Sequence, residues 1–142
     1  RSPAVHVTQV GFRPDDPAKR AFVSIWMGSG GGGVYPSGMS FSVVEEPTGR
    51  VVYAGRSRLA WPASEGEGSR EGRNQTKADV HVLDFDGLTA PGRYRVVVEG
   101  LGCSGGFEIS SDAWTGAFRA AMKGFLHHRS GIALGAPFTE YQ

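Results

Sequence analysis

The side chains that could do chemistry are few. Asp15 and Asp16 form an adjacent carboxyl pair of the kind that general acid/base catalysis uses. His6, His81, His127, His128 and the single Cys103 are the candidate metal ligands or nucleophiles. The acidic pair sits between prolines in Arg13-Pro14-Asp15-Asp16-Pro17, with Lys19 close behind, so it reads as solvated charge in a turn. Neighbouring helical residues point about 100° apart, which prevents His127 and His128 from sharing one ion easily, and no cysteine or carboxylate spacing completes a ligand set. Cys103 lies in Gly102-Cys103-Ser104-Gly105-Gly106, which predicts a tight turn with no base or helix N-terminus to activate a thiolate. One cysteine also excludes an internal disulfide. No residue of this chain is therefore assigned to catalysis, substrate binding or a metal, and no cofactor is expected.

Four aromatic residues suggest a different chemistry. Trp26, Tyr35, Tyr53 and Trp61 could stack on sugar rings, as the exposed aromatics of a non-catalytic carbohydrate-binding β-sandwich module do. Packing within the core is the competing reading for all four, since alternation leaves Trp26 ambiguous and Trp61 precedes Pro62 at the edge of a loop.

The elements that would carry these residues are mostly strands. Short runs with period-two alternation, broken by glycine, proline and aspartate, predict strands near residues 5–10, 21–26, 40–45, 51–55, 78–85, 94–99 and 106–109. In the fifth, Ala78, Val80 and Val82 are expected to face one way and Asp79 and His81 the other. Seven such strands fit an immunoglobulin-like sandwich over residues 1–110. Pro91 and Gly92 ahead of Tyr94 fit a tyrosine corner, in which a buried ring returns its hydroxyl to upstream backbone. The run Gly28-Ser29-Gly30-Gly31-Gly32-Gly33 lacks the lysine and the strand-to-helix setting of a phosphate loop and predicts a hairpin connection. Residues 64–77 are polar and aperiodic and predict a connection between strands; Asn74-Gln75-Thr76 within them matches a glycosylation acceptor that chance also explains.

After Ile109 the period changes to 3.6. Trp114, Ala117, Phe118, Ala121, Met122, Phe125 and Leu126 recur at helical spacing and predict one amphipathic helix over residues 112–130, about 28 Å long. Ser110, Ser111 or Asp112 could cap its start, and His127, His128, Arg129 and Gly131 suit its end. A sandwich satisfies its own inner faces, so this stripe is expected to begin another domain, over residues 111–142, whose remainder covers it.

Composition narrows the partners. Fifteen Lys+Arg against fourteen Asp+Glu leave a net charge of +1, and residues 1–111 hold twelve of each, so no basic face for nucleic acid is expected. No apolar run is long enough to span a membrane.

Val7-Thr8-Gln9-Val10-Gly11-Phe12-Arg13-Pro14, followed by Lys19-Arg20-Ala21, resembles the first strand and turn of the N-terminal immunoglobulin-like domain of glycoside hydrolase family 9, the cellulase family. Gly49-Arg50-Val51-Val52-Tyr53-Ala54-Gly55, Ala78-Asp79-Val80 and Gly92-Arg93-Tyr94-Arg95-Val96 are similar to later pieces of the same domain. Ala121-Met122-Lys123-Gly124-Phe125-Leu126-His127-His128-Arg129-Ser130-Gly131 resembles the first helix of the family's catalytic domain. The resemblance implies a mainly β sandwich leading into an (α/α) six-hairpin barrel, in a secreted or periplasmic enzyme that hydrolyses β-1,4-glucan with inversion. The family's Asp-Ala-Gly-Asp motif does not occur in this chain. The segment itself is thus expected to be inactive, with a downstream α/α-barrel as its partner and a scaffold as its role; Arg129 could pair with a carboxylate of that barrel.

Overall fold

Valine-rich and aromatic runs, most of them ended by a glycine or proline turn, form nine short strands and one helix in a computed structural model that describes residues 1–66, 72–129, 131, 135 and 136. The strands are β1 (Val5–Val7), β2 (Arg20–Val23), β3 (Ser40–Glu45), β4 (Val51–Arg56), β5 (Arg58–Trp61), β6 (Val80–Asp84), β7 (Gly92–Val98), β8 (Gly102–Cys103) and β9 (Phe107–Ile109), followed by α1 (Thr115–His127). One sheet has the order β1-β2-β6-β5; the other runs β4-β3-β7-β8, with β9 also on β7. All named pairs are antiparallel.

The core lies between the sheets. Ala21, Val23, Leu83 and Phe85 come from one side, and Phe41, Val43, Tyr94, Val96, Phe107 and Ile109 from the other. Phe12 joins them from the β1–β2 connection, meeting Phe85 and Phe107 edge-on at centroid distances of 5.5 and 5.6 Å. Such edge-to-face contacts align a positive ring edge with a negative face and add about 0.5–1.5 kcal/mol to the burial itself. The tyrosine corner forms: Tyr94 is buried, and its hydroxyl donates to the Ala90 carbonyl at 3.0 Å. Gly92 makes this possible, because a Cβ there would fall 2.7 Å from the Tyr94 hydroxyl. Burial pushes the Tyr94 phenol above its ordinary pKa, with the Glu45 carboxylate adding to the effect.

Several expectations are corrected. The inward face of β6 is the opposite one: His81, Leu83 and Phe85 share a side with Ala21 and Val23, to which β6 is registered, while Val80 and Val82 face outward. Val82 is nonetheless buried, because it lies between Phe22 on β2 and Arg58 on β5. β5 replaces the predicted loop edge at Trp61, and Cys103 lies in β8, paired with Val97, rather than in a turn. The strands near residues 5, 21 and 78 are shorter than predicted.

The glycine run is a hairpin tip as expected, with a 3-10 turn at Gly28–Gly30 below a bridge between Trp26 and Gly32. Helix α1 begins three residues later than expected. Its N-cap is Trp114, without a side-chain hydrogen bond; Ser110 Oγ instead accepts from the Asp112 amide in the preceding turn. Gly131 has a positive φ of 83°. The expectations for residues 67–71 within the polar connection, and for Ser130 at the helix end, fall outside the described residues.

Candidate functional site

The carboxylates that could suggest catalysis are already engaged. Asp15 accepts from Arg13 Nε at 3.1 Å, and that hydrogen bond with its positive charge holds the carboxyl below its usual range. Asp16 Oδ1 accepts from the Ala18 amide at 2.9 Å, closing the turn. Glu46 is gripped by Arg95 at 2.6 Å and Arg93 at 3.4 Å, chiefly Arg95, which depresses its pKa. Asp84 bridges Arg20 and Arg58 at 2.7 and 3.2 Å. A carboxyl held ionised by an arginine, as Asp15 and Glu46 are, is a poor proton donor, so neither of these two has the environment of a general acid.

The histidines are dispersed. His6 Nε2 lies 2.9 Å from the Ser24 carbonyl, His81 is buried in β6, and His127 and His128 end the helix. Among the described residues no three His, Cys, Asp or Glu side chains cluster to hold a metal. Cys103 is half-buried, with Sγ 4.0 Å from an Arg95 guanidinium nitrogen. An open groove of about 360 Å³ runs beside β1, lined by Arg1, His6, Gln9 and the Gly105–Gly106 backbone, and holds no carboxylate.

The aromatic set divides. Tyr35 and Tyr53 pack against the core, and Tyr53 stacks near Phe41. Trp26 and Trp61 are exposed, and Trp61 Nε1 donates to the Glu65 carbonyl at 3.3 Å. Alternation could not separate these cases, because Trp61 sits on an edge strand whose four residues are all exposed.

The largest unsatisfied feature is one side of α1. Trp114, Phe118, Met122 and Phe125, spaced four, four and three residues apart, are 48–69% exposed, and the helix has no buried residue. Covering each would be worth about 1.5–3 kcal/mol. Four large apolar side chains exposed along one side of a helix form a contiguous patch of the kind that marks a packing surface. No described helix is long and apolar enough to cross a membrane.

Known proteins are similar to this chain in sequence and fold. Endoglucanase D of Acetivibrio thermocellus is 30% identical over 100 residues, covering 70% of this chain and 14% of that protein. A metagenome-derived glycoside hydrolase family 9 endoglucanase superposes with a TM-score of 0.69 at 26% identity, over 95% of this chain and 23% of that one. A Bacteroides ovatus family 9 protein, at 21% identity and a TM-score of 0.61, shares the fold over 93% of this chain and 20% of its own. The chain thus spans less than a quarter of the length of each of these relatives. The family described as the cellulase N-terminal ig-like domain matches residues 1–103, and the chain belongs to that family.

Proposed function

We propose that this chain is the N-terminal part of a cellulase-like glycoside hydrolase, in which the sandwich braces a catalytic α/α-barrel and residues 111–142 begin that barrel. The observation that carries this reading is the uncovered apolar face of α1, directly after a domain of the cellulase N-terminal family. Inverting hydrolysis of a β-1,4-glucan needs an acid and a base about 6.5–9.5 Å apart, with water between the base and the sugar. The engaged carboxylates described above do not supply that pair, so the reading assigns the chemistry to the barrel and a structural role to the sandwich. A polymeric glucan is met outside the cytoplasm, which supports a secreted or periplasmic enzyme.

The test compares the full-length enzyme with a version lacking residues 1–110, by thermal melting and by hydrolysis of soluble cellulose. The proposal expects a lower Tm for the truncated form, with activity retained on the fraction that folds, and no hydrolysis by the 142-residue chain alone. Equal melting temperatures would overturn the bracing role. Retention of the isolated chain on insoluble cellulose, lost in Trp61→Ala, would instead favour a carbohydrate-binding module built on the exposed tryptophans.

A further inference from the structure

We propose that the loop of residues 11–19 is the joint that fixes the direction in which the chain leaves the sandwich for α1, with Lys19 as the positioning residue that locks it. This inference concerns only the 142-residue chain and stands whether or not the barrel reading holds. Its starting point is a pair of hydrogen bonds around the last residue of β9. The Phe12 amide donates to the Glu108 carbonyl at 2.9 Å, and the Ser110 amide donates to the Phe12 carbonyl at 3.0 Å, forming a parallel bridge between Phe12 and Ile109. Bonding continues without a gap into the helix: Asp112 donates to Ser110 Oγ at 3.2 Å, Ala113 to the Ser110 carbonyl at 3.2 Å, and Thr115 to the Asp112 carbonyl at 2.9 Å. The segment between sheet and helix is thus tied at every second or third residue.

The loop can reach β9 only because residue 11 is glycine. Its φ is 92°, and a Cβ there would run into the Glu108 carbonyl oxygen, so any side chain pushes the loop away from β9. Phe12 then anchors the loop in the core through its contacts with Phe85 and Phe107.

Lys19 holds the other end. Its side chain is almost completely buried, and Nζ donates to the carbonyls of Pro14 at 3.0 Å and Asp16 at 2.6 Å. Burying an ammonium is costly unless its hydrogens are matched. Here the charge is matched to loop carbonyls, so the interaction exists only while the loop is closed. The Lys19 carbonyl meanwhile accepts from the Phe85 amide at 3.0 Å, which ties the closed loop to β6 and to the same aromatic cluster as Phe12.

Lys19→Met keeps the unbranched stem and removes the donors. Amide hydrogen exchange and residual dipolar couplings in the whole chain separate a joint from a mere contributor to stability. The expected result is exchange at Phe12 and Ser110 faster by about 10-fold or more, the loss of at least one charge-assisted bond, with Val96 and Ser104 at wild-type rates. Couplings from α1 and the sandwich should fit one alignment tensor in the wild type and two in the variant. Wild-type exchange at Phe12 and Ser110, a rise shared equally by Val96 and Ser104, or a single tensor in both proteins would overturn the proposal. If Lys19→Met does not fold, Asp16→Ala removes the Ala18 tie instead. A rise confined to Phe12 and Ser110 then supports the joint, and no local change sinks it.

Discussion

The sandwich and α1 contain the same kinds of large side chain and place them in opposite environments. Phe12 meets Phe85 and Phe107 edge-on between the sheets, and those two rings meet each other at a tilt, whereas Trp114, Phe118 and Phe125 stand half or more in water. The strands close on each other because two sheets supply two apolar faces. The single helix supplies one face and no opposite number among the described residues. Folding of the first region is therefore self-contained, and the stability of the second depends on what covers it.

The sharpest way to break that contrast is to cut the aromatic cluster. Phe85→Ala removes the ring that touches both Phe12 and Phe107, and a fully buried phenylalanine deletion costs about 3–5 kcal/mol. The sandwich should lose most of its melting transition, as read by denaturant titration of tyrosine and tryptophan fluorescence. A loss below about 1 kcal/mol, the middle of the range for an ordinary substitution, would show that the cluster is not the centre of the fold.

A substitution with the opposite sign tests the core from another side. His81 is 1% exposed on the inward face of β6, and neither ring nitrogen has a hydrogen-bond partner among the described residues. A buried polar group without a partner costs about 1–3 kcal/mol, while an apolar side chain of similar size avoids the penalty. His81→Leu should therefore stabilise the chain by about 1 kcal/mol in the same titration. Destabilisation would show that the imidazole makes a bond that the described contacts omit.

His81 also shows where sequence reasoning stops. Alternation along β6 pointed to Val80 and Val82 as the core face, yet the strand is buried on both sides near its middle, so polarity no longer distinguishes inside from outside. Cross-strand register decides it, through Ala21 opposite Leu83 and Val23 opposite His81, and register is a property of two strands at once. β5 escaped for the reverse reason, since an edge strand exposed at all four residues has no buried face to produce a period. The tyrosine corner was legible because proline, glycine and tyrosine each act locally there. The stripe on α1 was legible too, since helical spacing needs no partner to be seen. The Lys19 lock was not: its partners are backbone carbonyls, which every residue offers and no sequence pattern marks.

The smallest expected effect lies on α1, and it sharpens the contrast by its size. Phe118→Ser with Phe125→Ser replaces two exposed rings, at 65% and 69%, on a helix that buries nothing. Surface substitutions away from packed features stay within about 0.5 kcal/mol, so the melting of the sandwich should be unchanged. Any self-association at high concentration should fall at the same time, because an exposed apolar patch favours it. Sedimentation at rising concentration reads the second effect and denaturant titration the first. On the proposed reading, in which a barrel covers the stripe in the full-length enzyme, each lost ring becomes a core deletion there and the two together should lower the Tm markedly. Equal, negligible effects in both settings would mean that nothing covers the face in the enzyme, and the reading of α1 as the first barrel helix would fall with it.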